Sequence, residues 1–507
     1  MRFTIVVGSL AAAAAAILWY VGRAAPATYP KADQAVLELY TRYAAEGSLL
    51  VGPYSRFQWH HPGPLYFYLL APFYVVGSQS ELALYVAALV INLTAIVAIV
   101  WLVARHSGAM AGLLVAALLA AYVFRAQYLL VSPWNPHIPV IPLALLIVAC
   151  AAAIDGQLSA TIAVVAVASF VAQTHVAFAP CAAALAIVTA VSIAARERAS
   201  MKWLIVAAVV ACALWAPPLV EEIRGAPGNI TLMRRFLLSP APSAGDWTHA
   251  WPIFETLLSA PFVPGRGMAI DGRFMAASGP AASLIAAVQM AVLPLAWEMA
   301  RRQRRRFEQA LAMFCLVASG VALWSVTRVP GEVFSYLVFW VSIIGVLDVA
   351  AIGLVLVPRS SRFKTVAGGM IAAVCAALMA YGVAGVAREF GRSARTGADV
   401  RRLSLAVENY VRALQLRPLI RISEPTWPHA AGVILQLDKH GLRPAVENSW
   451  VPMFGRQMGA AGGENGELQF ADPELADSLA RRDDYVRVER FGDVFVFAKR
   501  PPRRPSA

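Results

Sequence analysis

A carboxylate, an arginine and two adjacent histidines stand close together early in the chain. Asp33 lies in YPKADQAVLELYTRYAAEGSLL, residues 29–50. Helical spacing from Asp33 to about Ala45 sets Asp33, Leu37, Tyr40 and Thr41 near one face, with Glu38 and Arg42 an i,i+4 pair on another. A carboxylate in that place can take a proton from a hydroxyl, or serve the helix as its N-cap; the residues alone allow both. Beyond it, Arg56, His60 and His61 lead into FQWHHPGPLYFYLLAPFY, residues 57–74, an aromatic segment too short to cross a bilayer comfortably. Arginine matches a phosphate group bidentately, whereas histidine is charged only in part near neutral pH.

Other polar residues sit where apolar stretches end. SPWNPHIP holds Asn135 and His137 between prolines, suited either to ligand contact or to capping the next helix. His175, in AQTHVAFAP, is an ionisable group at the edge of an apolar segment, where such groups are functional or hydrogen-bonded to a neighbouring helix. Glu221, Glu222 and Arg224 read as a solvated loop-entry cluster. Arg328 and Glu332 flank Pro330-Gly331. NIT at 229–231 is a sequon by letters only. The five cysteines all fall in apolar windows and imply packing, with neither a disulfide framework nor a metal site.

The elements that must position these residues belong to a membrane protein. The 507 residues are 59% hydrophobic and 14% charged, too apolar for a soluble chain of this length. Apolar windows recur near 3–22, 82–104, 109–124, 138–154, 159–173, 179–195, 203–220, 281–299, 309–326, 333–357 and 365–387. About eleven spans follow, each approaching the ~20 residues that cross ~30 Å of hydrocarbon. The net charge of +13 is concentrated in short loops: Arg105; Arg196, Arg198 and Lys202; RRQRRR at 301–306; Arg359, Arg362 and Lys364. That pattern marks the cytoplasmic side of a bilayer and gives no ground for a nucleic-acid partner. With Arg2 inside and residues 3–22 a retained span despite the cleavage-like AAPA at 24–27, every cluster falls inside, provided 64–77 lies in the outer interface without crossing. The regions 23–81, 125–139, 172–180, 221–280 and 327–334 then share the outer side.

From 389 the sequence turns polar. A helix over 398–414, a strand at 418–423, a helix over 428–441 and a hairpin at 485–498 turned by Phe491-Gly492-Asp493 predict a small extracytoplasmic α/β domain at 389–499, with 500–507 a disordered tail. No Walker loop or GxGxxG follows a strand.

Asp33-Gln34, followed by Trp59-His60-His61-Pro62-Gly63-Pro64-Leu65-Tyr66, resembles the first outer loop of the GT-C superfamily, membrane glycosyltransferases that use lipid-phosphate sugar donors. Protein O-mannosyltransferases and the lipid A aminoarabinose transferase are among them. Two features depart from the family pattern: Gln34 replaces the second acid, and His61 with an inserted Gly63 replaces the family's lysine. The resemblance implies a GT-C-like transmembrane domain at 1–388 and transfer of a sugar from a polyprenyl-phosphate donor to an extracytoplasmic glycan, lipid or protein. Asp33 would be the single base of an inverting displacement. Glu38, Arg56, His60, His61, Asn135, His137, His175 and Arg328 would contact substrate, Glu38 standing in for the missing acid. No divalent metal is expected. The alanine- and arginine-rich composition fits a bacterial inner membrane, with the C-terminal domain in the periplasm. A transporter or lipid flippase, and a non-catalytic scaffold of the same fold, are the rival readings.

Overall fold

The computed structural model describes residues 27–195, 201–239, 247–263, 268–276, 279–329, 331–358 and 364–500, together with Ala13 and Ala16. The rest of the expected first span, AAPA except Ala27, Arg196, Arg198, Arg359, Arg362 and the 501–507 end lie outside them. Every apolar window from residue 82 onward coincides with helix. The reason is physical: a backbone without water must satisfy its own N–H and C=O groups. Among the described residues, six helices are long and apolar enough to cross a membrane: Leu82–Ser107, Val176–Ala194 counted with its leading 3₁₀ turn, Met201–Arg224, Pro280–Arg302, Arg306–Val326 and Lys364–Thr396. Ala109–Arg125, Val140–Ile154, Ala160–Thr174 and Val341–Leu356 are shorter apolar helices. The window at 333–357 is broken, with a single turn at Ser335–Val338 before Val341–Leu356. Leu65–Val76 has 12 residues, about 18 Å of helix, which falls well short of a bilayer's hydrocarbon. Its Tyr66, Phe67, Leu70 and Tyr74 are buried against protein.

The two ends of the bundle differ in kind. At one end His106 meets Asp155 at 2.6 Å and stacks on Phe307. There too Arg305 donates to the carbonyls of Leu354, Val355 and Val357, which end their helix without partners of their own. The other end carries the connections 125–139 and 174–179, residues 27–81 and the whole C-terminal region.

Lys364–Thr396 spans 33 residues, about 50 Å, and so runs through position 388 with no break before the helix Ala398–Ala413. A five-stranded sheet follows, ordered β4-β3-β5-β7-β6, where β3 is Pro418–Ile422, β4 Ala445–Val446, β5 Gly466–Ala471, β6 Tyr485–Phe491 and β7 Val494–Lys499. β3 pairs in parallel with both β4 and β5, and helix Trp427–Lys439 makes the β3-to-β4 crossover that parallel pairing demands. β6 and β7 form the hairpin expected from the sequence, with Gly492 at φ +56° in its tight turn. Earlier in the chain, β1 (Tyr54–Ser55) and β2 (Trp59–His60) form a two-stranded ribbon.

Helix Ala32–Ala45 joins the two regions. Its Lys31 end bonds Asp399 at 2.8 Å, Glu38 takes Lys439 at 2.7 Å, and Arg42 takes Asp438 at 2.7 Å. Glu38 and Arg42 therefore do not pair with each other as their spacing suggested: each turns to an opposite charge on helix Trp427–Lys439.

Candidate active site

The connections at this end enclose one cavity of about 1610 Å³, roofed by the loops that follow β3 and β4. Asp33 lines it. The helix starts at Ala32 with Lys31 at its N-cap and no side-chain cap bond, so Asp33 is not the cap. Ala32 itself sits at φ +51°, a conformation a non-glycine residue seldom holds, and it turns the chain into the helix just before Asp33. Protein encloses the carboxylate while its face stays open to the cavity. That burial pushes its pKa up, partly offset by a hydrogen bond with the Trp134 side chain.

Arg56 and Arg328 also line the cavity, each lying over aromatic rings: Arg56 over Phe57 and Phe334, both at 5.0 Å, and Arg328 over Trp324 at 5.3 Å. Neither has an ion-pair partner among the described residues. Tyr336 lies between Arg56 and the acid. Its phenol feels the charges of both Arg56 and Asp33, and its ring packs 5.0 Å from that of Trp134.

The histidines separate into two groups. His61 and His175 line the cavity with rings 4.3 Å apart. The Val176 N–H donates to His61 Nδ1 at 3.1 Å, and the Ala177 N–H to His175 Nδ1 at 3.3 Å. Each ring, when neutral, therefore carries its proton on Nε2. Burial drives His61 well below its usual pKa, with His175 and His60 adding to the effect, and takes His175 down to about 3. Burial thus favours the neutral ring at both positions, whereas the residue type alone leaves His61 charged in part near neutral pH.

His60 and His137 do not line the cavity. His60 bonds Tyr40 Oη through Nε2 at 3.0 Å, and burial holds its pKa down to about 4. His137 uses both nitrogens, on Ser132 Oγ at 2.8 Å and the Ile270 carbonyl at 3.0 Å, and burial likewise holds it to about 4. It fastens residue 270 to the turn below. Asn135 does line the cavity and donates to the Thr174 carbonyl at 3.4 Å. Glu38 lies outside the cavity, wholly buried between Lys439 and the Tyr74 hydroxyl, so it does not replace the acid lost at Gln34.

Two neighbours give the HHPGP segment its shape. Asn229 clamps the His60 backbone from both sides, accepting its N–H at 2.7 Å and donating to its carbonyl at 2.9 Å. The sequon asparagine is thus 5% exposed and internally committed. Gly63 lies so close to the Gln173 side chain and Pro218 that a Cβ would overlap both, which accounts for the glycine inserted there. Glu221 is buried, not solvated, accepting from the Asn229 N–H at 2.7 Å and from Arg456 at 2.9 Å. Glu222 caps helix Asn229–Leu238 through the N–H groups of Ile230 and Thr231. Glu332 pairs with Arg273 at 2.5 Å.

Sequence reasoning missed Trp134, Tyr336 and the roof residues, because no spacing in the chain connects them to Asp33. No group of three or more histidine, cysteine, aspartate or glutamate side chains is placed to hold a metal ion among the described residues.

No family model and no curated protein matches the sequence. In fold the chain is similar to ArnT from Cupriavidus metallidurans bound to undecaprenyl phosphate, with TM-score 0.52 and 14% identity over 96% of this chain and 97% of that one. It is equally similar to ArnT in the apo state, with TM-score 0.52 and 14% identity over 98% of each chain. The likeness covers nearly the whole chain, which therefore has the multi-pass membrane fold of ArnT.

Proposed function

We propose that this protein is a membrane glycosyltransferase that moves a sugar from an undecaprenyl-phosphate-type donor to an acceptor on the outer face of a bacterial inner membrane. One observation carries the reading. An open carboxylate, Asp33, shares a cavity with two cations, Arg56 and Arg328, that have no ion-pair partner among the described residues, in a fold whose ArnT representative binds undecaprenyl phosphate. About eleven spans, counting 3–22, would leave the cavity and the sheet outside the cytoplasm.

In the reaction, an acceptor hydroxyl attacks the anomeric carbon. The new C–O bond forms as the bond to the phosphate oxygen breaks, the hydroxyl proton passes to Asp33, and polyprenyl phosphate departs with the electron pair. Phosphate leaves without protonation, so one base suffices. A single displacement inverts the anomeric centre. Arg56 and Arg328 hold the phosphate and meet the charge it gains, while His61 and His175 offer neutral Nε2–H donors. The raised pKa of Asp33 makes it a stronger base than a free aspartate in water.

The test begins with the glycan or glycolipid missing from a strain that lacks the protein. Wild type should restore it, and Asp33→Asn should lower transfer by roughly 10²–10⁴-fold with the protein still folded. Full restoration by Asp33→Asn, or undecaprenyl phosphate bound equally well by wild type and Arg56→Ala, would overturn the proposal.

A further inference from the structure

The cavity is charged unevenly. Arg328 lines it just beyond the end of helix Arg306–Val326 and Arg56 in the turn between β1 and β2, whereas the roof carries Glu424, Trp427, Glu447 and Trp450. These four follow the carboxyl ends of two adjacent parallel strands. Glu424 and Trp427 come after β3, and Glu447 and Trp450 after β4. Ligands of parallel sheets are bound in the crevice outside those strand ends. Here that crevice opens onto the cavity that holds Asp33.

The side chains suit one kind of molecule. Trp450 is pinned by its indole N–H to the Ile422 carbonyl at 3.2 Å, and both indoles remain only half-buried at the cavity edge. Flat, fixed aromatic surfaces of this kind cover the apolar C–H faces of a sugar ring. Glu424 has no ion-pair partner among the described residues. Glu447 approaches Arg421 only to 4.0 Å, and that arginine is nearer Glu467 at 3.4 Å. Both carboxylates therefore keep lone pairs for hydroxyl donors, and charge-assisted bonds of that type are the strong ones. The same two charges repel a phosphate.

We propose that this roof is the acceptor subsite and that it takes an uncharged, polyhydroxylated saccharide in preference to a phosphate-bearing one. The inference rests on the transfer reading above and adds the class of acceptor. The arginines of the ribbon and the bundle then serve the anionic donor, and the carboxylates and indoles of the roof serve a neutral glycan.

Full-length protein in nanodiscs would be titrated with undecaprenyl phosphate, with neutral manno- and arabino-oligosaccharides, and with the same manno-oligosaccharide carrying a terminal phosphate. The neutral saccharides should bind more tightly than the phosphorylated one. Trp427→Ala and Glu447→Gln should weaken saccharide binding by roughly tenfold and leave undecaprenyl phosphate unaffected. Trp427→Phe should retain most of the affinity, which separates lost stacking from lost folding. Equal or tighter binding of the phosphorylated saccharide overturns the proposal. So does the failure of every neutral saccharide to bind at millimolar concentration, or roof substitutions that weaken undecaprenyl phosphate instead. If undecaprenyl phosphate alone fails to bind, the donor reading falls, and the saccharide titrations still decide the roof.

Discussion

Asp33 is exposed to the cavity, yet the protein packed around it raises its pKa. A carboxyl whose folded pKa is raised stabilises the fold below its unfolded pKa and loses that contribution as pH climbs through the folded value. At neutral pH the charge is therefore a burden on stability, kept for what it can do in the cavity. Asp33→Asn should raise the melting temperature at pH 7 while abolishing transfer; a lower melting temperature would mean that the carboxylate is structural. The histidines have the opposite sign. His60 and His137 fall to about 4, His175 to about 3, and His61 well below its usual value, so the unfolded chain binds protons that the folded chain refuses. Each should withdraw about 1.4 kcal/mol per pH unit below the unfolded histidine pKa of about 6.5. Glu81, raised to about 7 by burial, and Asp33 oppose this, but four groups outweigh two. Thermal unfolding between pH 7 and 5 should show stability falling with acid, and a rise would refute the neutral-histidine assignment.

Among the elements, the ribbon β1-β2 and helix Asn229–Leu238 hold each other through one side chain. Asn229 satisfies both backbone groups of His60 within a buried setting, and no other residue type offers that donor-and-acceptor pair at one reach except glutamine, which is longer. Asn229→Ala leaves a buried N–H and C=O without their partner, a loss of about 1–3 kcal/mol. Thermal unfolding should register that loss, and transfer should fall because His61, the next residue, shifts with the ribbon. Unchanged stability would show that water replaces the clamp. Helix Lys364–Thr396 makes a second point about elements. Its apolar stretch ends near 387, yet the helix continues through Gly391 to Thr396, with no proline in between to end it.

For the molecule as a whole, the C-terminal region is docked by charge as much as by apolar packing. Lys439 enters a site where Glu38 is fully buried and the Tyr74 hydroxyl already donates at 2.9 Å. Removing one member of such a pair strands the other charge, so Lys439→Met should destabilise the protein by about 3–5 kcal/mol. Adding Glu38→Leu should recover much of that loss, since an apolar pair tolerates the same burial. Limited proteolysis can follow the release of residues 398–500 from the bundle in each variant. If the single substitution leaves unfolding and proteolysis unchanged, the pair does not hold the two regions together.

What the sequence determined by itself is local: which stretches are apolar enough to close their own hydrogen bonds, where the polar connections interrupt them, and where the terminal hairpin turns. Composition and spacing suffice for those, because each is settled within a few helical turns. The partners of the candidate residues were decided by the tertiary structure. Glu38 finds Lys439 at a separation of 401 residues, Asp33 gains Trp134 and Tyr336, and His61 and His175 accept backbone N–H groups at Nδ1, which leaves their Nε2–H groups for the cavity. Charge state and pairing depend on desolvation and on distance through space, and neither is written in the order of residues along the chain.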